Sequence, residues 1–67
     1  MNETFLLMKI RVDFWLDGKQ YAQRQDIYIP VIGDEVRFHN VVYKIVHRIW
    51  IYDEKYPRVA VTMEKIV

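Results

Sequence analysis

Between positions 6 and 16 apolar side chains fall on every second residue: Leu6, Met8, Ile10, Val12, Phe14 and Leu16. Leu7, Lys9, Arg11, Asp13 and Trp15 stand between them. A period of two held this long belongs to a strand with one face buried; a helix needs apolar positions three and four apart. Asp17-Gly18 follows directly. Asp-Gly between alternating runs marks a two-residue hairpin, because a type I′ turn requires positive φ at both central residues. The pattern predicts a first hairpin over residues 5–29. Residues 1–4, ahead of it, are expected to form a flexible N-terminus.

A two-residue turn sets Leu16 opposite Lys19, Phe14 opposite Tyr21, Met8 opposite Ile27 and Leu6 opposite Ile29. That register leaves Gln23 and Gln25 facing Val12 and Ile10 on the inner face. On the outer face it pairs Lys9 with Asp26, which is favourable, and Arg11 with Arg24, which is not. Two glutamines on an apolar face and two like charges across the ladder predict that the middle of the second strand is bulged, splayed or at an edge.

Pro30 cannot donate to a ladder, so it ends the second strand. Residues 30–35 are the corner between hairpins, with Gly33-Asp34 as its turn, and residues 36–65 carry the remaining hairpins. A short third strand runs from 35 to 38. His39-Asn40 is a two-residue turn, since Asn tolerates the left-handed region and His is enriched there. The fourth strand runs from 41 to about 52, and the fifth from 58 to about 65 after a charged loop. Val36, Phe38, Val41, Tyr43, Ile45, His47 and Ile49 are expected on one face. Arg37, Val42, Lys44, Val46, Arg48, Trp50 and Tyr52 are expected on the other. The resulting expectation is all-β: a single five-stranded, strongly bent antiparallel sheet over residues 1–67. Closure into a barrel removes exposed edges and encloses one core.

Length and composition narrow what such a sheet can do. The chain has 67 residues, and a domain of that size buries only about 60% of its unfolded surface. It has no cysteine, which excludes disulfides and thiolate metal sites. An efficient core or a partner chain must therefore supply the stability. Hydrophobic residues make up 52% and aromatics 15%, too apolar for intrinsic disorder. Ten basic residues against nine acidic ones leave a net charge of +1, so only a local patch would point to nucleic acid. No apolar run approaches the roughly 18 residues of a membrane span. Met1-Asn2-Glu3-Thr4 lacks the basic stretch that opens a signal peptide. The expected compartment is the cytoplasm.

At Pro30-x-x-Gly33-Asp34-x-Val36-x-Phe38, followed by Tyr43-x-Ile45, the chain resembles a small SH3-like barrel. Tudor-, KOW- and SH3-type barrels and many small bacterial or phage proteins share this layout. In all of them a Gly-Asp/Glu-x-Val segment leads into a hairpin whose return strand carries an aromatic-x-aliphatic pair. The resemblance covers roughly residues 29 to 63 and implies a fold, not a ligand. The paired tyrosines and acidic loop of peptide-binding SH3 domains are absent, as is a Gly-rich KOW segment. No binding residue is carried over.

Catalysis finds little to work with. The chain contains no Ser or Cys nucleophile, and Thr4 and Thr62 lie near opposite ends. Five of its nine acids cluster at turns, namely Asp17, Asp34, Glu35, Asp53 and Glu54, where bonding to local backbone explains them. His39 and His47 are two nitrogen ligands without a third, a poor metal site. Gly33 lacks Walker or dinucleotide spacing. The expectation is no catalytic residue, no metal and no cofactor.

Aromatic and basic side chains remain. Lys9, Arg11, Trp15 and Tyr28 are expected on the outer face of the first hairpin. Arg37, Lys44, Arg48 and Trp50 are expected together on one face of the second. Cations interleaved with stacking rings suit single-stranded nucleic acid, and Arg with Trp and Tyr is the hot-spot composition of protein interfaces. In the plainer reading the Trp residues cap a small core with arginine stems across them. Near-neutral charge ranks a protein partner, or self-association, above nucleic acid, whose binding draws on accumulated positive charge.

Overall fold

The computed structural model describes residues 9–66. Five strands follow in order: β1 (Ile10–Leu16), β2 (Lys19–Asp26), β3 (Glu35–Phe38), β4 (Val41–Ile51) and β5 (Arg58–Lys65). They form one sheet in the order β2-β1-β5-β4-β3. Both short turns take the conformation their residues favour, with positive φ at Asp17, Gly18, His39 and Asn40. The expected pairings of Met8 and Leu6, and the N-terminal residues 1–4, lie outside the described residues.

Two expectations about the sheet need correction. It is mixed, not antiparallel throughout, because β1 lies parallel to β5, with Val12 beside Val59 and Phe14 beside Val61. It also does not close. The sheet curls through 217° into a half-barrel, leaving β2 and β3 as its two ends. Pairing β1 with the last strand buries the two most apolar alternating runs side by side, and that long-range choice leaves no local trace in the sequence. The architecture is consistent with an SH3-like fold.

The concave face holds the core: Val12, Phe14, Tyr43, Ile45, Val59, Val61 and Met63 are all buried. Leu16, Ala22, Ile29, Val36, Phe38 and Val41 pack against them. Burying one such side chain contributes about 1.5–3 kcal/mol, offset by the entropy of ordering a short chain. Side chains, not a ladder, link the two ends of the curl at one rim. Tyr21 of β2 meets Phe38 of β3 edge to face at 5.5 Å and Tyr43 of β4 at 5.9 Å. Phe14 meets Phe38 at 5.1 Å. Partial burial pushes the Tyr21 hydroxyl above its ordinary pKa, and its hydrogen bond and charge interaction with Tyr43 push the same way.

A bulge falls in the first hairpin. Trp15 pairs with Gln20 and Phe14 with Ala22, so Tyr21 is the extra residue. Register beyond it shifts by one. Gln23 and Gln25 now oppose Asp13 and Arg11, and Arg11 no longer faces Arg24. The like-charge pair is thereby relieved, while Arg24 and Asp26 take the place of the two glutamines opposite Val12 and Ile10, and β2 is an edge strand as well.

On the convex face Asp13 is buried to 3% exposure. Arg11 donates to it from Nε at 3.0 Å, and the Arg58 Nε stands 3.8 Å away. Arg58 in turn donates to Glu54 at 3.2 Å. A carboxylate between two guanidinium groups needs no further counter-charge, which is how an acid is tolerated in the middle of a strand.

Candidate interaction surface

A second bulge decides where the predicted site residues go. Ile45 pairs with Met63 but His47 pairs with Thr62, so Val46 is the extra residue in β4. Opposed residues share a face. Arg48 opposite Val61 and Trp50 opposite Val59 therefore lie on the concave side, while His47 and Ile49 lie on the convex side. This corrects the expected facing on both counts: His47 and Ile49 do not continue the face of Tyr43 and Ile45, and Arg48 and Trp50 do not join Arg37 and Lys44. An inserted residue reverses everything beyond it. Both faces of β4 are rich in apolar residues, so no break in alternation announces the insertion.

The eight predicted residues are thus spread over several surfaces. Arg11 and Trp15 share the convex face of β1, where Trp15 is half-buried and Arg11 is tied to Asp13. Lys9 precedes β1 and is exposed. Tyr28 follows β2 and is exposed, outside any strand. Arg37 is an exposed residue of β3. Lys44 is exposed on the convex side, opposite Glu64. Arg37, opposite Val42, keeps the face of Lys44, and Arg48 and Trp50 stay together on the other face of the sheet. Arg48 donates from Nη1 to the Pro30 carbonyl at 3.4 Å.

Lys9, Arg11 and Arg58 also line a shallow cavity of about 450 Å³, together with Glu54 and Tyr56. Asp13 and Glu54 already neutralise the two arginines there. Among the described residues no three His, Cys, Asp or Glu side chains gather as a metal site. Nor is any helix long and apolar enough to cross a membrane.

The far end of β4 is built differently from the rest of the sheet. β3 has four residues against the eleven of β4. Its accompaniment of β4 stops where Gly33 donates to the Ile45 carbonyl at 2.8 Å and Ile45 donates to Asp34 at 2.8 Å. A turn then carries the chain off this edge. Asp34 closes it through its backbone N–H, which donates to the Val31 carbonyl at 3.0 Å, and Val31 N–H donates to the Asp34 carboxylate at 2.9 Å. Gly33 provides the positive φ of 99° that this reversal requires. Among the described residues, His47 to Ile51 pair with β5 on one side and with no strand on the other.

Large apolar side chains collect at this free edge. Ile49 is 49% exposed, Trp50 37% and Tyr52 72%. Trp50 and Tyr52 stack on each other, 6.4 Å between centroids and 23° between planes. Val31 and Ile32 of the adjoining turn are exposed as well. Sequence reasoning named Trp50 and Arg48 here but did not name Ile49, expected on the face of Tyr43 and Ile45, or Tyr52, expected on the face of Trp50, as site residues. Comparison with known proteins finds no match: no family model, no curated protein and no solved structure resembles the chain closely enough to report.

Proposed function

We propose that the chain is a non-enzymatic interaction module that binds a protein partner through the far half of β4. One observation carries this reading. Ile49, Trp50 and Tyr52 stand exposed beside a strand edge whose backbone N–H and C=O groups have no partner strand among the described residues. An extended segment of another protein would satisfy that backbone row by adding a strand, and the exposed rings would give it anchors. Grouped apolar exposure of this kind marks interfaces more often than isolated surface residues do. The absence of Ser and Cys and the pairing of the buried Asp13 with Arg11 and Arg58 favour binding over chemistry. Kinship with the small SH3-like barrels of bacteria or phages, and a cytoplasmic location, belong to the same proposal.

Single-stranded nucleic acid is the second reading, since Arg48 and Trp50 share the concave face. Against it, Arg11 and Arg58 are already neutralised by carboxylates, and phosphate binding needs free positive charge.

A photo-crosslinking side chain introduced at Trp50, and separately at Gln23 on the β2 edge, tests the choice in cells that make the chain. Discrete protein adducts from position 50 and none from position 23 are expected. Equal adducts from both positions would overturn the assignment of the surface. Tight binding of a single-stranded oligonucleotide at low salt, lost in Trp50→Ala, would transfer the surface to nucleic acid.

A further inference from the structure

We propose that the partner at this surface is a second copy of the chain. The two copies join edge to edge through residues 47–51 of β4 in an antiparallel ladder, with Ile49 opposite its own counterpart. The inference rests on the reading that the far half of β4 is a protein interface.

The two longer strands with a free side are not equally guarded. β2 reads Lys-Gln-Tyr-Ala-Gln-Arg-Gln-Asp and is interrupted by a bulge. Its Arg24 and Asp26 oppose Val12 and Ile10 and pair with each other at 3.2 Å. Charged and polar side chains, a bulge and charges turned toward the inner side are the devices that keep a strand edge from pairing. The far half of β4 reads His-Arg-Ile-Trp-Ile, with no Lys, Asp or Glu and a single Arg. Its edge is open to pairing.

Symmetry narrows the register. In an antiparallel ladder, opposed pairs alternate between bonded and non-bonded types. A two-fold axis therefore has to place one residue opposite its own counterpart. With Ile49 on the axis, all five residues pair: His47 with Ile51, Arg48 with Trp50, and Ile49 with Ile49. With Trp50 on the axis the ladder shortens to residues 49–51. With Arg48 on the axis two guanidinium groups oppose each other, and the ladder meets Gly33 and Asp34 on the Ile45 edge.

The Ile49 register also matches the chemistry on both faces. On the concave side each Arg48 guanidinium lies against the Trp50 ring of the other copy, a favourable stacking pair. On the convex side Ile49 meets Ile49 at the axis. Asp53 stands two residues beyond the end of the strand, so antiparallel pairing carries its carboxylate toward the Arg48 end of the opposite copy. Parallel pairing would bring like charges together. A five-residue ladder with its flanking rings falls near the lower end of interface sizes, roughly 1,200 Å², which predicts association that depends on concentration.

The chain lacks cysteine, so a single introduced thiol reports one contact. Opposed residues in an antiparallel ladder have Cα atoms about 4.5 or 5.5 Å apart, inside the span of a disulfide. Under mild oxidation of the full chain, Ile49→Cys is expected to cross-link at least about ten-fold faster than Gln23→Cys, because pairing makes the reaction local. Equal rates would overturn the proposal. Ile49→Lys and Ile49→Glu provide a second reading by sedimentation. Each alone should remain monomeric, while an equimolar mixture associates about ten-fold more tightly than either. A mixture that associates no better than its components would overturn the Ile49 axis. A wild-type chain that stays monomeric, yet still yields discrete adducts with another protein from position 50, would overturn self-pairing and leave the interface reading standing. Absence of both would overturn both.

Discussion

Residues 41–45 and 47–51 of β4 are drawn from similar residue types, Val-Val-Tyr-Lys-Ile and His-Arg-Ile-Trp-Ile. In the near half Tyr43 and Ile45 are buried, and β3 and β5 flank the strand on its two sides. In the far half Ile49 and Trp50 are exposed, and among the described residues only β5 accompanies the strand. Composition does not separate the two halves. The extra residue at Val46 and the early end of β3 do, by turning one set of apolar side chains away from the core and leaving their backbone uncovered. An isoleucine becomes core or exposed surface according to which face it occupies and whether its strand has two neighbours.

The sharpest way to break this contrast is to truncate its buried member. Ile45→Ala removes a side chain with no exposure and should cost about 2–5 kcal/mol by urea or thermal unfolding. In a domain of this size that approaches the whole stability. Deleting Val46 attacks the contrast itself. With the bulge gone, Arg48 and Trp50 turn to the convex side and His47 and Ile49 turn inward. We expect a loss of about 1–3 kcal/mol from misfitted packing, together with loss of self-association.

Asn40→Val tests whether the turn fixes the near-half register. Both His39 and Asn40 have positive φ, and a β-branched residue there should cost about 1–2 kcal/mol. Stability unaffected by that change would mean that the β3–β4 pairing alone sets the turn. The smallest effect on folding is expected from Ile49→Ala, within about 0.5 kcal/mol, although it should weaken association clearly. A large folding loss at Ile49 would show that the far half belongs to the core after all.

Much of this arrangement was legible from residue order. Alternation located all five strands, and Asp17-Gly18 and His39-Asn40 announced their turns. The displacement in β2 was readable because it leaves a polar trace: without it, Gln23 and Gln25 fall on an apolar face and Arg11 meets Arg24. The displacement at Val46 leaves no such trace, since isoleucine, valine and tryptophan occupy both faces of β4. The parallel pairing of β1 with β5 was hidden for another reason. It joins residues more than forty positions apart, and local periodicity carries no information about which strand lies alongside. For the candidate surface, sequence supplied Arg48 and Trp50 but grouped them with Arg37 and Lys44, from which the bulge separates them. Ile49 and Tyr52 became visible only once the limit of β3 was known.

Amide hydrogen exchange followed at low and high chain concentration tests the central claim most directly. If two copies pair through the free edge of β4, the outward-facing amides among residues 47–51 should slow by at least about ten-fold as concentration rises. Those of β2 should not change. Exchange at residues 47–51 that is independent of concentration, or protection that develops along β2 instead, would contradict the account.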